Sequence, residues 1–580
     1  MSGGLIQLVN KGAQDQLVCG NPSFTHFRSV YKRHTDFAME QFELVFKTTN
    51  LRIPASGSLT LRATVEQYAQ LLNDCYVVMT LPNIYSSIGP VTTTHANLNA
   101  NSKAIGYEFN WIRNIGYNMI NYVSIIINGQ EIVRHTGEWM KLYAELNFDA
   151  NKKAMVNQMV GNVPEVYDPA NAYDRINQYP HAISKPGVPA EPSIYGRTLN
   201  VPLHFWFCEN VGAALPLGAL QNSLVEIVVE LTNMYELFTV RDIRETINGV
   251  ANPNFGVRIA PDASSTLMTM NNFLSPPTYS LAPIPTNPEL YYWNLNPFIE
   301  ANYIFLGDAE LQHIASTEHS FIINQVDTVT ADGQYGPSND LYLLMKNLCT
   351  QVVWVTQRSD RALQNDVDNY TNWTDPYKPP LDNTNSVAVA PAYTTGNALN
   401  PAVSQRDILL ESSIILDGRE RFSYKQTYFF SQLENYRHQA GRTTSSIPGI
   451  YTYSFALDHH KQPSGHINGS MFNKTILRNT YVQPPLVTTS NDPNNNTPPA
   501  PVCVLKSSLN SPNPTIVNPL AVGRDGQLLY SPQDVITIVP STQVTNAVKT
   551  LQYNFIVRAY VESYNYLRVM GGIANVVFSS

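Results

Sequence analysis

Charge is what this chain has least of. Only 14% of its 580 residues are Asp, Glu, Lys or Arg, against roughly 25% in an average soluble domain. The 37 basic and 45 acidic residues leave a formal net charge of -8, which disfavours binding nucleic acid through the whole surface. Long apolar runs are also missing. The best, around Tyr122–Ile127 and Val225–Leu231, have strand length, well short of the roughly 18–20 residues that span a bilayer. The opening Met1-Ser-Gly-Gly-Leu-Ile-Gln has neither a basic n-region nor an apolar h-region, so no secretory signal is expected. The five cysteines (Cys19, Cys75, Cys208, Cys349 and Cys503) form no C-x-x-C and no Cys/His cluster. Buried free thiols in a chain folded in a cytosol are the expectation.

Catalytic signatures are absent as well. There is no Gly-rich phosphate loop, no H-E-x-x-H and no G-x-S-x-G. His204 and Glu209 share a strand-like segment, but their odd spacing points them to opposite faces. Asp458-His459-His460 ends a strand before Gln462-Pro463-Ser464-Gly465, where a turn is expected and not a ligand set. So few titratable groups leave little to converge in a pocket. Neither enzyme activity nor a cofactor or metal is expected.

Aromatics are plentiful: 33 Tyr, 22 Phe and 6 Trp make up 11%, too many for a disordered chain. No heptad bias suggests a coiled coil. The length fits two large or several small domains. Period-two alternation dominates. Leu59, Leu61, Ala63 and Val65 alternate with Thr60, Arg62, Thr64 and Glu66, and Phe42, Leu44 and Phe46 repeat the pattern. Near the C-terminus Leu551, Tyr553, Phe555, Val557, Ala559 and Val561 form one face. Tyr451, Tyr453, Phe455 and Leu457 form another. Such alternation places one face of a strand in a core. A helix is expected after Thr136 as N-cap, with Trp139, Leu142, Tyr143 and Leu146 on one side. A second, short one is expected over Ala213–Gln221.

Long Pro/Asn/Ser/Thr-rich stretches separate the strands: Pro82–Lys103, Asn147–Arg197, Asn248–Pro297, Arg358–Ser404 and Gln483–Thr545. Loops of this length on a β scaffold suggest an elaborated outer surface. Within the last, Gln483–Pro501 is expected to be mobile. The two halves echo each other. Ile125-Ile-Ile-Asn-Gly-Gln-Glu131 and Ile414-Ile-Leu-Asp-Gly-Arg-Glu420 each place a hairpin turn between an apolar strand and an aromatic block. The next strands are expected over Val201–Phe207 and Ile450–Leu457. Two similar β domains in tandem follow, with a junction near Ala315–His319.

Arg28, Lys32, Arg33 and His34 cluster near the N-terminus. They suit contact with phosphate, lipid head groups or an acidic partner, or else a solvated arm. Five N-x-S/T sequons, at Asn369, Asn372, Asn468, Asn473 and Asn495, are glycosylation candidates.

Several strings recur as a set in one family. The N-terminus reads Gly3-Gly4-Leu5, Gln7-Leu8-Val9, Gly12-Ala13-Gln14-Asp15 and Gly20-Asn21-Pro22, then Tyr31-Lys32-Arg33 and Phe37-Ala38. Ala214-Leu215-Pro216-Leu217, Tyr453-Ser454-Phe455-Ala456-Leu457 and Tyr564-Asn565-Tyr566-Leu567-Arg568-Val569-Met570 follow in order. End to end, the chain resembles the double jelly-roll major capsid proteins of nucleocytoplasmic large DNA viruses.

The resemblance implies an all-β fold of two tandem eight-stranded jelly-roll sandwiches, with short helical inserts and long outer loops. Residues 1–36 would form an arm on the inner side of the capsid, 37–316 the first jelly roll and 317–580 the second. Three chains would form a pseudo-hexagonal homotrimeric capsomer that tiles the outer shell of an icosahedral double-stranded DNA virus, made and assembled in the host cytoplasm. The partners implied are neighbouring capsomers, minor capsid proteins and an internal membrane. Arg28, Lys32 and Arg33 would face that inner side. The outer loops would be free to meet a host surface, and no sequence-specific nucleic-acid binding is implied.

Two other classes compete with this one. A carbohydrate-binding sandwich would stack sugars on exposed Tyr370 and Trp373. A cupin-type enzyme would need clustered His/Glu ligands, which the sequence lacks. From the alternation, Phe555→Asp should abolish soluble trimer, and Gln552→Asp on the other face should be much milder.

Overall fold

The computed structural model describes most of residues 3–86, 106–277, 293–377, 406–487 and 553–578, with short interruptions, and the strand segments 502–505, 535–538 and 550–551. The first half supplies eight principal strands: β1 (Phe37–Val45), β2 (Leu59–Thr64), β3 (Leu71–Leu81), β4 (Ile120–Ile127), β5 (Gln130–Thr136), β6 (Arg197–Pro202), β7 (Val225–Leu231) and β8 (Phe298–Leu306). They pair antiparallel in two four-stranded sheets, ordered β1-β8-β3-β6 and β2-β7-β4-β5. The second half repeats this with β9 (His319–Gln334), β10 (Asn339–Tyr342), β11 (Leu348–Arg358), β12 (Leu409–Leu416), β13 (Arg419–Glu420), β14 (Ile450–Ser454), β15 (Thr475–Tyr481) and β16 (Phe555–Met570). Their orders are β9-β16-β11-β14 and β10-β15-β12-β13. Adding eight to each label of the first half gives the second. That is the double jelly roll: apart from the β4–β5 and β12–β13 hairpins, consecutive strands cross between two facing sheets, in the same order twice.

Local chemistry explains the matching turns. The β4–β5 hairpin turns at Asn128 (φ +53°) and Gly129 (φ +80°), and the β12–β13 hairpin at Asp417 (φ +45°) and Gly418 (φ +80°). Both central residues are left-handed, the turn whose twist matches the flanking strands. The alternation also holds in the core. Leu61 and Ala63 are fully buried, as are Leu44 and Phe46, and Tyr553, Phe555, Val557, Ala559 and Val561 line the second core. The opposite face of β16 differs from the expectation of a milder, solvent-facing side. Tyr560 and Glu562 are buried too, because the first half of the chain packs across that face. Gln552 lies outside the described residues.

Helix α1 (Gly137–Asn147) forms where its apolar spacing predicts, with the Thr136 hydroxyl accepting from the Trp139 amide at 3.1 Å. Helix α2 (Ala150–Met159) follows after a second cap, where Asp149 accepts from the Lys152 amide. Three expectations fail locally. Over Ala213–Gln221 there are only two 3-10 turns, Val211–Ala213 and Leu217–Ala219. Between them Leu215 exchanges backbone hydrogen bonds with Leu72 at 2.9 and 3.0 Å, which draws the chain into an extended bridge. The strand expected over Val201–Phe207 ends at Pro202, and Trp206–Glu209 is a helical turn. β14 stops at Ser454, whose hydroxyl accepts from the Ala456 amide in a turn, leaving Leu457 74% exposed.

Candidate functional site

Among the described residues, the most elaborate polar seam joins the two halves. Helix α1 lies in the β5–β6 connection and is buried on every side, since sheet β9-β16-β11-β14 lies across it. Its entry is tight. A Cβ on Gly137 would stand 2.1 Å from the Tyr117 and Ile120 carbonyl oxygens, so only glycine fits there. Trp139 packs against Tyr560 of β16 with ring centroids 5.5 Å apart.

Polar groups on α1 complete the seam. Arg558 Nε and Nη2 donate to Glu138 Oε2 and Oε1 at 2.5 and 2.8 Å. The Tyr370 hydroxyl donates to Glu138 Oε1 at 2.7 Å, and Tyr560 adds a further hydrogen bond. Burial by itself would raise the Glu138 carboxyl, but the Arg558 and Lys141 charges override it and hold it at about 2. The same pairing pushes Arg558 above its ordinary value against the pull of burial. One turn on, Lys141 Nζ meets Asp368 Oδ1 at 2.5 Å, both groups almost fully buried. Asn118 and Asn114 donate to the two Asp368 oxygens at 2.8 and 2.6 Å. A buried ion pair tolerates desolvation only when its remaining lone pairs are met in this way.

Backbone contacts extend the seam. Asn365, left-handed at φ +49°, donates from its side chain to the Tyr235 and Phe238 carbonyls at 2.6 and 2.8 Å. Gly441 approaches so closely that a Cβ would lie 2.6 Å from the Phe148 carbonyl oxygen. Further along β16, Glu562 has a different environment. It is 3% exposed and accepts from Gln351 at 2.5 Å, while Gln439 donates to Gln351 at 2.9 Å. Burial raises its carboxyl to about 7, with the Gln351 hydrogen bond pulling the other way.

The sequence marks Trp139 and Tyr370 only in other roles, and none of the charged seam groups stands out in it. Glu138, Lys141 and Glu145 follow helical spacing opposite Trp139 and Leu142, a pattern that reads as a solvent face. Only the fold shows a sheet lying over it.

The residues singled out from sequence fall elsewhere. Arg28 and Lys32 lie outside the described residues, and Arg33 is exposed. Ahead of them the helices Gly3–Val9 and Asp15–Cys19 bury no residue, and Leu8, Val9, Leu17 and Val18 are all at least 66% exposed. Asn369 and Asn372 are fully buried. Asn369 donates to Asp366 and to the Trp373 carbonyl, and Asn372 accepts from the Tyr553 hydroxyl. A glycan on either does not fit the folded chain, which corrects that expectation. Asn468 and Asn473 are exposed, and Asn495 lies outside the described residues. Tyr370 is fully buried, so packing excludes it from stacking on a sugar beside Trp373. His204 is enclosed by Tyr143 and Phe148 rings at 4.7 and 5.5 Å, on an extended stretch beyond the end of β6. Asp458 lies in a turn held by Ser464, with its amide donating to the Ser464 hydroxyl at 2.8 Å. His459 and His460 lie outside the described residues. Among the described residues no His, Cys, Asp and Glu group could hold a metal ion.

Comparison with known proteins agrees with this fold. Residues 25–271 match the family described as major capsid protein N-terminus, and residues 310–503 the family described as large eukaryotic DNA virus major capsid protein. The chain is 26% identical over 522 residues to a probable capsid protein of Acanthamoeba polyphaga mimivirus, covering 81% of this chain and 91% of that one. It is 26% identical over 540 residues to the major capsid protein of Phaeocystis pouchetii virus, covering 82% and 92%. Among solved structures, a quasi-atomic capsid of Paramecium bursaria Chlorella virus 1 superposes with a TM-score of 0.57 at 18% identity, covering 96% of this chain and all of that one. The Faustovirus major capsid protein superposes with a TM-score of 0.56 at 11% identity, covering 94% and 93%.

Proposed function

Since the chain belongs to the major capsid proteins of large eukaryotic DNA viruses, and so is a self-associating component of a virion capsid, we propose that three copies assemble into a pseudo-hexagonal capsomer that tiles an icosahedral shell. The observation that carries this reading is the repeated strand order, β1-β8-β3-β6 and β2-β7-β4-β5 against the same order raised by eight. Two similar wedges per chain become six in a trimer. Residues 37–316 and 317–580 are the two wedges, and residues 1–36 form the arm on the inner side.

The arm suits that place. Its apolar side chains on Gly3–Val9 and Asp15–Cys19 have no cover among the described residues, and Arg33 adds exposed positive charge. Minor capsid proteins or an internal membrane are the partners this chemistry fits. The loops at the opposite end are free to meet a host surface, and Asn468 and Asn473 remain glycosylation candidates. The protein acts by assembly, without catalysis or cofactor, in the host cytoplasm where the shell is built.

Native mass measurement tests the reading directly. A trimer is expected, with an interface of roughly 2,000–5,000 Å². A stable monomer at micromolar concentration, with no regular array in purified particles under the electron microscope, overturns it.

A further inference from the structure

The β5–β6 connection holds a cavity of about 560 Å³, within the roughly 300–1,000 Å³ that small-ligand sites occupy. Its walls come from α2, the following turn and the extended stretch that leads into β6. That last wall is fixed, because the Gly196 amide donates to Asn83 Oδ1 at 2.7 Å and a Cβ there would collide with the Leu81 carbonyl oxygen. Two tyrosines stand at the cavity, Tyr173 at 73% and Tyr195 at 65% exposure. Tyr173 and Asp174 are consecutive left-handed residues, φ +54° and +60°, an uncommon conformation for a bulky side chain. Arg175 lies 5.5 Å from the Tyr173 ring, and its Nη1 donates to the Pro169 carbonyl at 3.1 Å.

The charges lining the cavity are Glu165, Glu191, Arg175 and Arg197. Glu165 and Arg197 are half-buried, and among the described residues neither side chain has an ion-pair partner. The groups divide evenly into acceptors and donors. An anion would meet two carboxylates and a cation two guanidinium groups. A hydroxyl both donates and accepts, so a ligand bearing several hydroxyls satisfies both kinds at once. A tyrosine ring beside them offers a flat apolar face for the C–H side of a sugar ring.

We propose that this cleft binds a neutral saccharide, with Glu165, Glu191 and Arg197 holding its hydroxyls and Tyr173 and Tyr195 packing on its rings. Binding itself follows from the cleft alone. That the saccharide belongs to a host surface rests on the capsid reading, in which this connection faces outward.

The purified assembled protein is applied to an array of neutral and acidic glycans, and the best-retained neutral oligosaccharide is titrated by calorimetry. Retention on neutral glycans is expected, weakened about tenfold or more by Arg197→Ala and by Tyr195→Ala. Leu457→Ala, on an exposed turn of the second half, should leave it unchanged. Tyr195 is exposed, so its variant keeps the fold, which an unchanged native mass and melting temperature verify. No retained glycan, a preference for sialylated or sulfated glycans, or wild-type affinity in both variants overturns the proposal. A monomer in the native mass spectrum that still binds neutral glycans overturns the capsomer and leaves the cleft standing.

Discussion

Arg558 grips both carboxylate oxygens of Glu138, a residue 420 positions earlier in the chain. A helix inserted in the first jelly roll is thereby tied to the central strands of the second.

The seam should therefore behave as one coupled unit. Glu138→Gln leaves the Arg558 guanidinium buried and without its counter-charge, and should cost about 3–5 kcal/mol. Arg558→Met should cost a similar amount. The double variant should recover part of the loss, since no lone charge remains. A double-mutant cycle by denaturant unfolding measures this, and strict additivity would show that the two groups do not share one interaction.

Two buried carboxyls should pull stability in opposite directions as pH changes. Glu138 is held at about 2, below the ordinary glutamate value of about 4.3. Its contribution is present above about 4.3 and is lost as pH falls toward 2. Glu562 is raised to about 7, so the folded chain keeps a proton that the unfolded chain releases. Its contribution is complete below about 4.3 and is lost as pH rises through 7. Glu562→Gln should raise Tm at pH 8, a gain in stability on the order of 3–4 kcal/mol, and change little at pH 4. Melting curves of both proteins across that range provide the check.

Phe555 tests the register of β16. It is fully buried in the second core, so Phe555→Asp should cost upward of about 4 kcal/mol and abolish soluble protein. Leu457 is 74% exposed beyond the end of β14, and Leu457→Asp should express as wild type. Equal soluble yields would mean that the facing residues of β16 are misassigned.

Glycan mapping separates the sequons. Peptide mass spectrometry of particles should find Asn369 and Asn372 bare, because both side chains are enclosed. Any sequon glycan on the described surface belongs on Asn468 or Asn473. A glycan on Asn369 would require that loop to open before folding is complete.

Much of this architecture was legible in the sequence because it is written locally. Alternation in Leu59–Thr64 and Phe555–Val561 marks core faces, Asn128-Gly129 and Asp417-Gly418 mark matching hairpins, and Thr136 marks the start of α1. The site was less legible. Glu138 and Lys141 look like a solvated helix face until a sheet from the far half is laid over them, and nothing near them in the chain encodes that sheet. The Ala213–Gln221 helix failed for the same reason: Leu215 pairs with Leu72, a partner no local window contains. Asn369 and Asn372 look like surface sequons by composition, yet their amides fill an interior network.

The seam also has a handedness of use. It joins the helical insertion of the first jelly roll to the outer sheet face of the second, two different patches on two similar units. A contact between unlike patches has no two-fold axis. Repeated, it runs head to tail and either closes into a ring or spirals without end. Six such units in three chains are the closed case. The covalent link within each chain then sets the sense in which every wedge follows its neighbour, before any second copy arrives.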